Sequence, residues 1–148
     1  MHLLKKFKII YGVIFIFILL GCSIPTDFYI QNLTQTNKVV KINYARKITN
    51  ALNNDGYGHF SFNYQEDIVK PRVFKRNKNL RSLEKISITD SLITIEIPPH
   101  STVRIEKTHN YYWVRGIRSV EIDGQNFDIK ELREKSEEIK DDYVYKIQ

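Results

Sequence analysis

The residues of this chain best suited to nucleophilic, acid–base or metal chemistry are four histidines, one cysteine and a scatter of serines and carboxylates. A bound metal needs several nitrogen, sulfur or oxygen ligands converging on one point, with histidine the commonest. His2 lies in the N-terminal segment, and His59 stands alone beside a glycine-rich turn. His100 and His109 flank an expected strand over residues 102–108, which at ~3.3 Å per residue holds them more than ~25 Å apart. No His-x-x-x-His or Cys-x-x-Cys spacing occurs, so neither a metal nor another cofactor is expected. Ser23, Ser61, Ser82, Ser87, Ser91, Ser101, Ser119 and Ser136 lack a Gly-x-Ser-x-Gly elbow, although a triad can assemble from distant segments. Asp123, Asp128, Glu131 and Glu134 read as turn and helix-start residues rather than a hydrolytic pair. The expectation is a non-enzymatic protein.

Cys22 carries the only thiol, and its position matters more than its reactivity. Lys5, Lys6 and Lys8 precede an apolar run from Ile9 to Leu20, and polar residues begin directly after Cys22. At ~1.5 Å per helical residue the run is too short for the ~30 Å hydrocarbon core, so it reads as an export signal rather than a membrane span. Leu19-Leu20-Gly21-Cys22 resembles the lipobox of bacterial lipoprotein precursors. That resemblance implies acylation of the Cys22 thiol and cleavage between Gly21 and Cys22. Residues 1–21 would then be a removed signal, 22–26 a lipidated tether, and 27–148 one domain. The same resemblance implies the outer membrane, since Ser23 stands where such lipoproteins carry aspartate for inner-membrane retention, and the sparse acid after Cys22 implies its periplasmic face over the cell surface. The expected membrane partner is the bilayer itself, reached through the lipid on Cys22.

This address changes how charge is read. Three of the 23 lysines and arginines stand in the leader and none of the 17 acids does, which halves the formal charge of +6. Lys70, Arg72, Lys75, Arg76, Lys78 and Arg81 form the one basic cluster. In an exported protein nucleic acid is not an available partner, which leaves an anionic head group, a glycan or an acidic envelope protein. A simply solvated loop is the competing reading. Tyr111, Tyr112 and Trp113 form an aromatic triplet that either contacts a partner or, at strand spacing, sends Trp113 into the core. Asp90-Ser91-Leu92 resembles the short O-glycosylation motif of exported Bacteroidota proteins, with Ser91 as acceptor.

The elements that must position these residues are mostly strands. Alternation marks Phe28 and Ile30; Val40, Ile42 and Tyr44; Phe60 and Phe62; Ile86 and Ile88; Ile93, Ile95 and Ile97; Val103 and Ile105; Tyr111 to Val114; and Val120 and Ile122. Thr94 and Glu96 are expected to face outward. Pro98-Pro99 ends one strand and Asp123-Gly124 makes a hairpin leading to Phe127 and Ile129. Residues 65–81 read as a long basic loop with a strand at Val73-Phe74. Asp128 and Glu131 start a short helix carrying Ile129, Leu132 and Ile139, and Tyr143 to Ile147 form a last strand. The fold expected is all-β and mainly antiparallel, an immunoglobulin-like sandwich or small barrel of about seven to nine short strands with one C-terminal helix. Phe28-Tyr29-Ile30-Gln31-Asn32 and the stretch from Ile95 to Val103 look like the small β-sandwich lipoproteins of Bacteroidota, a resemblance that implies fold and address but no activity.

Three roles follow as expectations. The first is a lipid-anchored binding or interaction module at the outer membrane. The second is an envelope assembly subunit that pairs through the terminal strand Tyr143 to Ile147. The third is a small hydrolase acting on glycan or lipid, which needs a pocket where carboxylates or a Ser–His pair converge.

Overall fold

The computed structural model describes residues 23–48 and 60–148. Gly21 and Cys22, the turn-rich stretch 50–58, His2 and His59 lie outside them. The described chain forms strands β1 (Pro25–Asn32), β2 (Lys38–Tyr44) and β3 (Asn63–Gln65), helix α1 (Pro71–Arg76), then β4 (Arg81–Ser82), β5 (Lys85–Ile88), β6 (Leu92–Ile97) and β7 (Ser101–His109). Helix α2 (Trp113–Gly116), β8 (Ile117–Ile122), β9 (Gln125–Asp128), helix α3 (Ile129–Lys135), β10 (Glu137–Ile139) and β11 (Asp142–Ile147) complete it. One sheet has the order β10-β11-β1-β7-β3-β4 and the other β5-β6-β2-β8-β9. They stack as a sandwich and do not close into a barrel.

Alternation explains the stacking. Phe28 and Ile30, Val103 and Ile105, and Tyr143 and Ile147 of the first sheet meet Val40, Ile42, Ile93, Ile95, Ile97 and Val120 of the second. Trp113 fills the middle, stacked on Phe28 with ring centroids 4.7 Å apart and tilted against Tyr143 at 5.2 Å. Asp123-Gly124 closes the β8–β9 hairpin with φ of 48° and 86°, as a two-residue turn between right-twisted strands requires. Asp128 accepts from the Glu131 backbone N–H at 2.8 Å and starts α3.

Several sequence expectations need correction. There are eleven strands and three short helices among the described residues, because short edge pieces and single helical turns carry too little periodicity to read. Val73 and Phe74 lie in α1, where Pro71 opens the helix with a φ already suited to it. Tyr111 to Val114 is no strand: Asn110 and Tyr111 adopt φ of 50° and 60°, and the chain reverses into α2. Phe60 and Phe62 precede their strand, which begins at Asn63, and both have positive φ while their rings are buried. Pro25 and Thr26 belong to β1 rather than to a tether, since they pair with His109 and Thr108. Ile139 leaves the helix and joins β10. Ile86 and Ile88 are exposed, because β5 is an edge strand. Thr94 is buried and accepts from the Ser87 hydroxyl at 2.9 Å across the β5–β6 pair, while Glu96 does face outward.

The terminal strand is also placed differently. β11 runs parallel to β1 on one side and antiparallel to β10 on the other, so the chain's last strand is interior to its sheet. The edges of that sheet are β10 and β4, of three and two residues, which offer little backbone to a partner strand.

Candidate functional site

Within the first sheet β1 is buried on both faces, and the site is built on its outer one. In β1, Phe28 and Ile30 point into the sandwich, so Asp27, Tyr29 and Gln31 point away from it. All three are nonetheless buried. Residues 66–80 lie over them as a third layer. Phe74 packs edge-on against Tyr29 at 5.3 Å and joins Val144, Val69, Leu80 and Ile139 in a second, smaller cluster. Polar side chains of the sheet hold the backbone of this layer. Gln31 Nε2 donates to the Val69 carbonyl at 2.8 Å, the Thr102 hydroxyl donates to the Asp67 carbonyl at 2.8 Å, and the Val69 N–H donates to Thr102 at 3.0 Å.

At the end of the layer nearest the start of β1, α1 places Lys75 over two carboxylates. Its ammonium donates to Asp142 Oδ1 and Oδ2 at 2.7 and 2.8 Å and lies 3.8 Å from Asp27 Oδ2. Asp142 in turn accepts from the Asp27 backbone N–H at 2.9 Å. Asp27 Oδ2 also accepts from the Tyr29 hydroxyl at 3.0 Å and lies 3.6 Å from Arg104 Nη1. Arg104 sits over the Phe74 ring at 5.8 Å and donates to Asn63 Oδ1 at 2.8 Å. Burial pushes the Asp27 carboxyl above its ordinary value, against the opposing pull of Lys75 and Arg104. Burial, with Asp27 beside it, pushes the Tyr29 phenol up as well. Lys75 is therefore committed to internal charge balance.

Its neighbours are not. An open cleft of about 660 Å³ runs between α1, Pro25 and the β10–β11 turn. Lys70, Arg72, Arg76 and Lys140 line it, and among the described residues none of these four has a carboxylate at salt-bridge distance. The acids on the cleft are Asp142, already held by Lys75, and Asp141, which accepts from the Tyr111 hydroxyl at 3.4 Å. Lys140 is displayed at the turn with φ 61°. The cleft is thus a cationic surface with spare capacity, suited to a phosphate, sulfate or carboxylate group.

The structure splits the basic cluster read from the sequence. Lys70, Arg72, Lys75 and Arg76 come together at the cleft. Lys78 is exposed in the turn after α1, and Arg81 lies on β4, paired with Glu66 and stacked over Tyr64. The aromatic triplet is dispersed as well. Trp113 is wholly buried, Tyr111 packs on Tyr143, and Tyr112 is exposed beneath Arg115. Ser91 is half-buried in the β5–β6 turn. His100 and His109 stand at opposite ends of β7, and among the described residues no three histidine, cysteine or acidic side chains gather as a metal site. No helix among the described residues is long and apolar enough to cross a membrane.

Sequence reading missed Asp27, Tyr29, Arg104, Lys140 and Asp142. One signal was available: Phe28-Tyr29-Ile30 is a continuous apolar run, the mark of a strand covered on both faces. Comparison of the chain with protein-family models, with curated proteins and with solved structures finds no match.

Proposed function

We propose that this chain is a lipoprotein, acylated on Cys22, whose sandwich works as a non-enzymatic binding module at the periplasmic face of the outer membrane and takes an anionic partner in the α1 cleft. The observation that carries the reading is the division of labour among the cations. Lys75 balances the buried carboxylates, while Lys70, Arg72, Arg76 and Lys140 face solvent on one cleft with no carboxylate partner among the described residues. Three of these cations stand at α1 and Lys140 faces them from the β10–β11 turn, so all four repel one another across the cleft and a bound anion relieves that repulsion.

Two measurements test this. Palmitate labelling and fractionation of the expressed chain should place acyl label and protein in the membrane, and Cys22→Ser should abolish the label and leave unprocessed precursor. Titration calorimetry with inorganic polyphosphate as the anionic probe should give salt-sensitive binding to the acylated protein in detergent micelles, lost in Arg72→Glu/Arg76→Glu. Normal processing of Cys22→Ser would refute the anchor, and undiminished polyphosphate binding by the double variant would refute the cleft.

A further inference from the structure

We propose that the α1 cleft is the surface this protein turns toward its own bilayer, with Lys70, Arg72, Arg76 and Lys140 engaging the phosphates of anionic phospholipid headgroups. The inference rests on the reading of Cys22 as an acylated anchor, and it adds what the cleft binds and how the domain is oriented.

Chain geometry carries it. Ile24 is fixed to the domain by two reciprocal bonds: its N–H donates to Asn110 Oδ1 at 2.9 Å, and the Asn110 N–H donates to the Ile24 carbonyl at 2.8 Å. Pro25, the next residue, is already in β1 and forms part of the cleft wall. Only Ser23 separates Ile24 from Cys22, so at ~3.3–3.6 Å per residue the attachment point lies within about 7 Å of Ile24. The headgroup layer is itself about 5–7 Å deep on each side of the hydrocarbon. A domain tied this closely cannot turn its other end to the membrane. The end it must present holds the cleft, with Ile24 exposed beside it as an apolar contact. Basic residues held at an anionic surface attract it within a Debye length. The opposite end, around Gln35 and Asp123, is held a whole strand length away.

The test uses the acylated full-length product reconstituted in nanodiscs. Acylation blocks the Cys22 thiol, so an introduced cysteine is the one labelling site. A nitroxide at Val73→Cys, exposed on α1, reports the cleft side, and one at Gln35→Cys reports the far end. In phosphatidylcholine discs containing phosphatidylglycerol, collision of the Val73→Cys label with an aqueous nickel chelate should fall several-fold relative to pure phosphatidylcholine. High salt, or Arg72→Glu/Arg76→Glu in the same background, should restore it, and the Gln35→Cys label should not respond. Equal accessibility of the Val73→Cys label in the two lipids would overturn the docking while the acyl mass of the protein leaves the anchor standing. A protein without the acyl mass would overturn both.

Discussion

The two faces of β1 solve burial in opposite ways. On the inner face, Phe28 stacks on Trp113 and Ile30 packs among isoleucines and valines. On the outer face, Asp27 and Gln31 flank Tyr29, and Asp27 Oδ2, the Tyr29 hydroxyl and Gln31 Nε2 each meet a polar partner. The inner face is held by area and shape, which tolerate small adjustments. The outer face is held by directed bonds between charges removed from water, where losing one partner strands another. Lys75 is the residue on which that balance turns, because one ammonium serves two carboxylates.

Trp113→Ala should give the largest effect, about 3–5 kcal/mol lost in urea unfolding, because it empties the centre of the sandwich. Phe74→Ala should cost roughly 3 kcal/mol, and hydrogen exchange should show the Val69 amide losing protection while the Ile42 and Ile95 amides keep theirs. If both regions lose protection together, the outer layer is not a separate unit.

Lys75→Met should cost roughly 2–3 kcal/mol at neutral pH, below the full value for a buried pair because Lys75 is partly exposed. The pH dependence has a definite sign. Asp27 already holds its proton more tightly folded than unfolded, so its contribution favours folding at low pH and is lost as pH rises through the raised value. Removing Lys75 withdraws an attraction that lowers that value and moves the loss to higher pH. The deficit of Lys75→Met relative to wild type should therefore shrink as pH falls and Asp27 protonates. A deficit that does not change with pH would show that Lys75 acts through packing alone.

Legibility in the sequence followed the same division. The inner face was readable because Val40-Ile42 and Ile93-Ile95-Ile97 alternate cleanly, and the Asp123-Gly124 and Asp128–Glu131 signals are local. Strand spacing offers a buried Trp113 as one of two readings, whereas its actual entry to the core depends on left-handed Asn110 and Tyr111, which no periodicity records. The outer layer was hidden because its stabilising pairs are distant in the chain. Asp27, Lys75, Arg104 and Asp142 come from β1, α1, β7 and β11, and each alone resembles an ordinary surface charge. The cluster from Lys70 to Arg81 was visible as composition, but its separation into bound and unbound cations depends on which carboxylates the fold brings near.

The smallest stability effect should come from Arg72→Glu/Arg76→Glu, within about 0.5 kcal/mol of wild type, since these side chains support nothing inside. That variant allows structure and binding to be read in one experiment. Urea unfolding of the acylated protein in micelles, with and without saturating polyphosphate, should show the wild-type midpoint rising with ligand as linkage requires. The double variant should have the same midpoint without ligand and no rise with it. An equal rise in both proteins would contradict the assignment of the α1 cleft as the binding surface.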